Sequence, residues 1–157
     1  GFGNGRLLPR GPLREPLSGL RRAGLVWLRE TGAPLPPLPA PVVRVRIRPT
    51  ALIAASGAPE PLELLRGRRV VALAAIARPE RFAGTLAALG AEVVERRFLP
   101  DHAPLSPAHL SAPAGALLVT TEKDHARLPA GAPPVARLRV EAEIVDGEPA
   151  LRAALRL

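Results

Sequence analysis

Beyond residue 68 the chain repeats one pattern: an apolar run, a polar loop, a segment of helical period, then another apolar run. "RVVALAAI" at 69–76 is apolar almost throughout, as a parallel strand covered on both faces must be. "PERFAGTLAALG" follows as a helix, with Pro79 suited to the first turn and Phe82, Leu86 and Leu89 at i, i+4 and i+7. Gly90 stands where that helix should stop. A strand is expected in "AEVVERRF" at 91–98, a short helix in "SPAHL" with Ser106 as its cap, and a buried strand in "GALLVTT" at 115–121. A short helix in "EKDHARL", an alternating strand in "VARLRVEAEIV", a turn at Asp146–Gly147 and a helix in "EPALRAALRL" complete the series. This alternation restricts the chain to the α/β class, with helices layered on a mainly parallel sheet.

The preceding stretch is less regular. Residues 1–16 read as loop, because Gly and Pro recur too often for either regular period. "PLSGLRRAG" predicts a short helix, and "LVWL" at 25–28 a short buried strand. "GAPLPPLPAP" at 32–41 is a stiff, proline-rich connector and the best candidate boundary. "VVRVRIRP" at 42–49 alternates Val43, Val45 and Ile47 with Arg44, Arg46 and Arg48, the period-two signature of a strand with one wet face.

Composition bears on partners. The 157 residues carry a formal charge of +8, almost wholly through arginine, since Lys123 is the only lysine. That balance favours anionic partners such as phosphates, nucleic acid or an acidic membrane face. Aromatic residues make up 3%, leaving few side chains for base stacking, and the arginines are dispersed, which argues against nucleic acid. With no cysteine, disulfide and thiolate chemistry are excluded. No apolar run approaches the ~18–20 residues needed to span a bilayer. Methionine is absent even at position 1, so the natural N-terminus is expected upstream.

In parallel sheets, ligands collect beyond the carboxyl ends of strands. Three polar clusters lie at such ends: "ARPER", "LPDHAP" and "TTEKD". His102 of "LPDHAP" is the most useful single residue, because imidazole moves a proton near neutral pH. Asp101 precedes it, and adjacent residues rarely face one another. His109 and His125 are isolated, and no spacing among the three histidines forms a metal site. "TTEKD" reads either as an anion-attracting helix start or, preferably, as a cap made by Thr120 or Thr121 with Lys123 in solvent. The opening "GFGNGRLLPRG" lacks the Gly-Lys-Ser/Thr of a P-loop and the spacing of a dinucleotide fingerprint. "GPLREP" nonetheless sets Arg14 beside Glu15, a guanidinium able to neutralise phosphoryl charge and a carboxylate able to orient it or help hold metal.

Taken in order, "GFGNGRLLPRGPLREP", "IARPERF" with its following "TL" and "LG", "LPDH", and "LLVTTEKD" with its following "RL" resemble the C-terminal half of the tetraacyldisaccharide 4'-kinase family, the lipid A kinases of Gram-negative bacteria. The resemblance runs from residue 1 to about 128. It implies ATP- and Mg2+-dependent phosphoryl transfer to the 4'-hydroxyl of a lipid A disaccharide 1-phosphate, by a peripheral protein at the cytoplasmic face of the bacterial inner membrane. It also implies a P-loop-kinase-like protein of two α/β domains joined by a two-stranded β link. The family's P-loop, membrane-binding helix, catalytic aspartate and paired metal-binding aspartates lie upstream of "GFGNG". By motif, Arg14 and Glu15 match residues supporting ATP and metal chemistry, and His102 matches the histidine paired with the catalytic aspartate. Asn4 and Arg6 belong to the same cofactor-side motif. Family chains commonly carry glycine where Ala75 stands here and a small residue where His125 stands. An aromatic after "LPDH" and an asparagine–glycine ending near Trp27 are also missing.

On that resemblance, residues 1–32 are the tail of the nucleotide-binding domain and 33–49 the linker and link strand. Residues 50–135 form the smaller α/β domain, and 136–157 the return strand and C-terminal helix. The expected function is that of a lipid kinase represented in part, inactive alone. The alternative is a non-catalytic basic α/β module binding nucleic acid or anionic lipid.

Overall fold

The computed structural model describes residues 2–30 and 36–156. The connector's first residues, 32–35, and the expected boundary after residue 32 therefore lie outside the described residues. Two compact units are distinguished, Gly1–Arg48 with Glu141–Leu157, and Pro49–Val140.

Within Pro49–Val140 the framework is a mainly parallel sheet. Its central strand β4 (Arg69–Ala74) pairs in parallel with β5 (Glu92–Phe98) on one side and β6 (Leu117–Thr121) on the other. The first residues of β7 (Ala136–Asp146) continue the parallel pairing from β6. The last residues of β2 (Val42–Ile53) pair antiparallel with the two-residue β3 (Pro59–Glu60).

β4 is apolar on both faces because both are covered. Val70, Ala72 and Ala74 pack with Phe82, Ala83 and Leu86 of helix α1 (Pro79–Ala88). Val71, Leu73 and Ala75 pack with Leu105, Leu110, Leu118 and Val135. Leu73 and Leu86 are wholly buried, and each such leucine contributes about 2 kcal/mol through the apolar surface it removes from water. β5 has one strand neighbour, β4, and its residues alternate in exposure. Thr120, also wholly buried, donates its hydroxyl to the Leu73 carbonyl at 3.0 Å and so ties β6 to β4.

In the other unit, β1 (Val26–Arg29) runs parallel to the start of β2. The period-two reading of β2 holds: Val43 and Val45 are buried, while Arg44, Arg46 and Arg48 face solvent. The strand extends four residues past the expected limit of 49, to Ile53, because Leu52 and Ile53 are also buried apolar residues. "LVWL" forms its strand, yet the expected burial is not found. Only Leu28 is buried and Trp27 is 52% exposed, because successive side chains of this edge strand point to opposite faces and the Trp27 face is left open among the described residues. At Gly147 the chain turns from β7 into helix α3 (Glu148–Leu155) with φ 86°, where a β-carbon would strike the Val42 carbonyl oxygen. Left-handed geometry and close backbone approach both require glycine there.

Candidate functional site

Within Pro49–Val140, the three polar clusters at strand ends meet around Ala75. This residue follows β4 and is wholly buried. Its amide donates to Asp124 Oδ2 at 3.0 Å, and its carbonyl accepts the His102 amide at 3.2 Å. The loop after β4 is thereby pinned to the loop after β5 and to the start of helix α2 (Glu122–His125).

His102 occupies a tight turn closed by the Ala103 amide on the Pro100 carbonyl at 2.9 Å. Its φ is 62°, in the left-handed region that non-glycine residues seldom adopt. Such a conformation costs on the order of 1–3 kcal/mol and persists where surrounding bonds enforce it, commonly at functional sites. The turn aims the imidazole outward, with the side chain 68% exposed. Nε2 stands 3.8 Å from Asp101 Oδ1, beyond hydrogen-bond reach but within ion-pair distance of the carboxylate. Lys123 Nζ is nearer that carboxylate, at 3.5 Å. His102, Asp101 and Lys123 thus form one exposed, charged cluster above the sheet.

Beneath it lies a buried polar anchor. Thr121 caps α2 by accepting the Asp124 amide at 3.0 Å, as the capping reading of "TTEKD" expected. The same hydroxyl donates to Asp124 Oδ2 at 2.9 Å. Asp124 is wholly buried, so its oxygens need partners, and Arg127 supplies one from the next turn at 3.2 Å. Arg127 then donates to the Ala103 carbonyl at 2.7 Å. Arg127 stands in the "RL" that follows "TTEKD" in the motif set, but its sequence context assigned it no role. Its other signal there is the three-residue spacing from Asp124, which puts both on one side of a short helix.

His125 has a separate role. Arg137 donates to its Nε2 at 3.2 Å, which makes that nitrogen an acceptor. Burial pushes the imidazole below its ordinary 6.5, and the Arg137 charge adds to this against an opposing effect of Glu122. The unfolded chain therefore takes up a proton near pH 6.5 before the folded one does, and stability falls as pH drops through that value. The decline levels off once the folded imidazole is protonated. His125→Gln removes this component. Urea midpoints compared at about pH 7.5 and about pH 5.5 should drop less in the variant than in the parent.

Arg14, Glu15, Asn4 and Arg6 belong to the other unit. Asn4 organises the opening loop: its amide donates to the Arg10 carbonyl at 3.0 Å, and its Oδ1 accepts the Arg6 amide at 3.1 Å. Gly11 fits beneath it, because a β-carbon there would strike both Asn4 Oδ1 and the Arg6 carbonyl. Arg6 and Arg14 are exposed, and neither makes an ion pair among the described residues. Glu15 is directed away from the Arg14 partnership read from "GPLREP". Its carboxylate pairs at 2.6 Å with Arg22, the last residue of the 3-10 helix Leu17–Arg22. Among the described residues no three His, Asp or Glu side chains gather as a metal site. One exposed carboxylate at position 15 does not complete a magnesium site. No described helix is long and apolar enough to cross a membrane.

Residues 1–157 match the family model for LpxK, tetraacyldisaccharide-1-P 4'-kinase. The tetraacyldisaccharide 4'-kinase of Anaeromyxobacter sp. (strain K) is 45% identical over 179 residues, 98% of this chain and 47% of that protein. That of Rhodospirillum centenum is 48% identical over 141 residues, 83% of this chain and 40% of that protein. The crystal structure of LpxK from Aquifex aeolicus in complex with ATP superposes with a TM-score of 0.70 at 26% identity, covering 96% of this chain and 47% of that one. The chain spans about half the length of the curated relatives it matches.

Proposed function

This chain belongs to the tetraacyldisaccharide-1-P 4'-kinase family, and on that premise we propose that the protein containing it transfers the ATP γ-phosphate to the 4'-hydroxyl of tetraacyldisaccharide 1-phosphate. The observation that carries the reading is His102. An exposed imidazole is held in a left-handed turn beyond the carboxyl ends of parallel strands, where such sheets bind ligands. A hydroxyl nucleophile needs a group to take or position its proton, and imidazole does so near neutral pH. The family resemblance implies that this histidine pairs with a catalytic aspartate upstream of "GFGNG".

Arg14 is proposed to meet charge on the ATP phosphates, since its exposed guanidinium offers a planar, two-pronged donor set. Glu15 would support it as a single oxygen ligand or as the partner that holds Arg22. Asn4 would act by shaping the loop, leaving Arg6 exposed. Magnesium, when bound, would neutralise charge on the ATP phosphates, and Glu15 is the carboxylate this stretch would offer it. The residues here do not hold it by themselves.

We further propose a peripheral site at the cytoplasmic face of the inner membrane. Leu7 and Leu8 are 43% and 63% exposed on a loop that also exposes Arg6, Arg10 and Arg14, a combination suited to an anionic lipid surface. Nucleic acid fits less well, because Phe82 is buried and Phe98 packs against the core, leaving Trp27 as the one largely exposed aromatic among the described residues. The full-length protein should move labelled γ-phosphate from ATP to tetraacyldisaccharide 1-phosphate, and to no disaccharide with a blocked 4'-hydroxyl. Absence of the 4'-phosphorylated product with pure enzyme, ATP and magnesium would overturn the proposal.

A further inference from the structure

We propose that Arg127, seated on the buried Asp124, is a positioning residue that fixes the His102 turn for phosphoryl transfer; this rests on the role given to His102 above. His102 has two backbone restraints: its own amide on the Ala75 carbonyl at 3.2 Å, and the following amide on Pro100 at 2.9 Å. Neither holds the next peptide group, Ala103–Pro104, where the chain leaves the turn. Arg127 does, through Nη2 on the Ala103 carbonyl at 2.7 Å, while its Nη1 rests 3.2 Å from Asp124 Oδ1 and 3.5 Å from the Ala75 carbonyl. One planar guanidinium therefore connects the end of β4, the start of α2 and the catalytic turn. Its seat is rigid, since Asp124 also receives the Ala75 amide and the Thr121 hydroxyl in a site closed to water.

The need for such an anchor follows from the φ of 62° at His102. A turn left to itself would relax towards right-handed or extended backbone, swinging the imidazole away from the acceptor hydroxyl. A displacement of about 1 Å is enough to cost on the order of 100-fold in rate. Lysine in place of Arg127 keeps the charge for Asp124 but offers a single point donor, which cannot serve both Asp124 and Ala103 in the fixed spacing of a guanidinium.

The test uses the full-length kinase with His102→Asn, Arg127→Ala, Arg127→Lys and the double variant Arg127→Ala/His102→Asn. Positioning predicts that Arg127→Ala lowers kcat roughly 10- to 100-fold with KM for ATP unchanged, that Arg127→Lys falls between it and the parent, and that the double variant is no slower than His102→Asn alone. Hydrogen exchange at the His102 and Ala103 amides should quicken in Arg127→Lys while exchange along β4 stays as in the parent. Losses that multiply in the double variant would overturn the proposal and leave His102 its role, as would an unchanged kcat in Arg127→Ala. An unchanged kcat in His102→Asn would overturn the underlying reading instead, and positioning with it. If Arg127→Ala does not fold, Arg127→Lys and its pairing with His102→Asn decide by the same comparison.

Discussion

Replacing His102 with asparagine is expected to slow transfer to the sugar hydroxyl by about 100-fold or more, the usual range for losing a proton-transfer group, while leaving the fold and ATP affinity nearly unchanged. Asparagine is the right substitute because it tolerates left-handed backbone, and His102 sits at φ 62°. The two amide bonds that close the turn, His102 to Ala75 and Ala103 to Pro100, involve only backbone and survive the change. With a 68% exposed side chain, little packing is lost. The variant therefore separates chemistry from stability in a way that a change at a buried site would not. Steady-state assays at saturating lipid acceptor should show the fall in kcat with KM for ATP held within about twofold. Unaltered turnover would remove His102 from the mechanism.

Asp124→Ala is expected to act on stability first, at a cost of about 3 kcal/mol, in the range for removing one partner of a buried ion pair. Three groups lose their acceptor together: the Ala75 amide, the Thr121 hydroxyl and the Arg127 guanidinium. The Ala75 amide is the most serious loss, since no water reaches that wholly buried residue. Asp124→Asn should cost less. Its carbonyl oxygen can still take the two bonds made to Oδ2, and Arg127, with a side chain 27% exposed, can turn towards water. Denaturant unfolding should rank parent, Asn and Ala in falling order, with Ala lower in melting temperature by on the order of 10 °C. An alanine variant as stable as the parent would mean that the buried carboxylate does not hold the strand ends together.

Much of the architecture could be read from residue order. Alternating apolar runs and helical periods located β4 to β7 and α1 to α3 within a few residues, because each element's burial follows from its own periodicity. The stretch 50–66 was not legible. The end of β2, the two-residue β3 and the short 3-10 helix Leu62–Leu65 are made by pairing and packing with distant residues and carry no period of their own. Trp27 misled for a related reason: an apolar run marks a strand, but only what packs on each sheet face decides which of its residues are covered.

The candidate site divides in the same way. His102, Arg14, Glu15, Asn4 and Arg6 were visible as motif residues, since chemistry requires their side-chain types in particular loops. The pairing of Glu15 with Arg22, the commitment of Asn4 to its own loop, and the Asp124–Arg127 anchor were not. By itself, the sequence determined the α/β class, the order of strands and helices, and the residue types offered to a ligand, all of which depend on local period and on chemical identity. Only the tertiary structure decided that "TTEKD" buries its aspartate beneath the His102 turn. Residues 75, 102 and 124 are far apart along the chain, and they meet only because parallel strands end side by side.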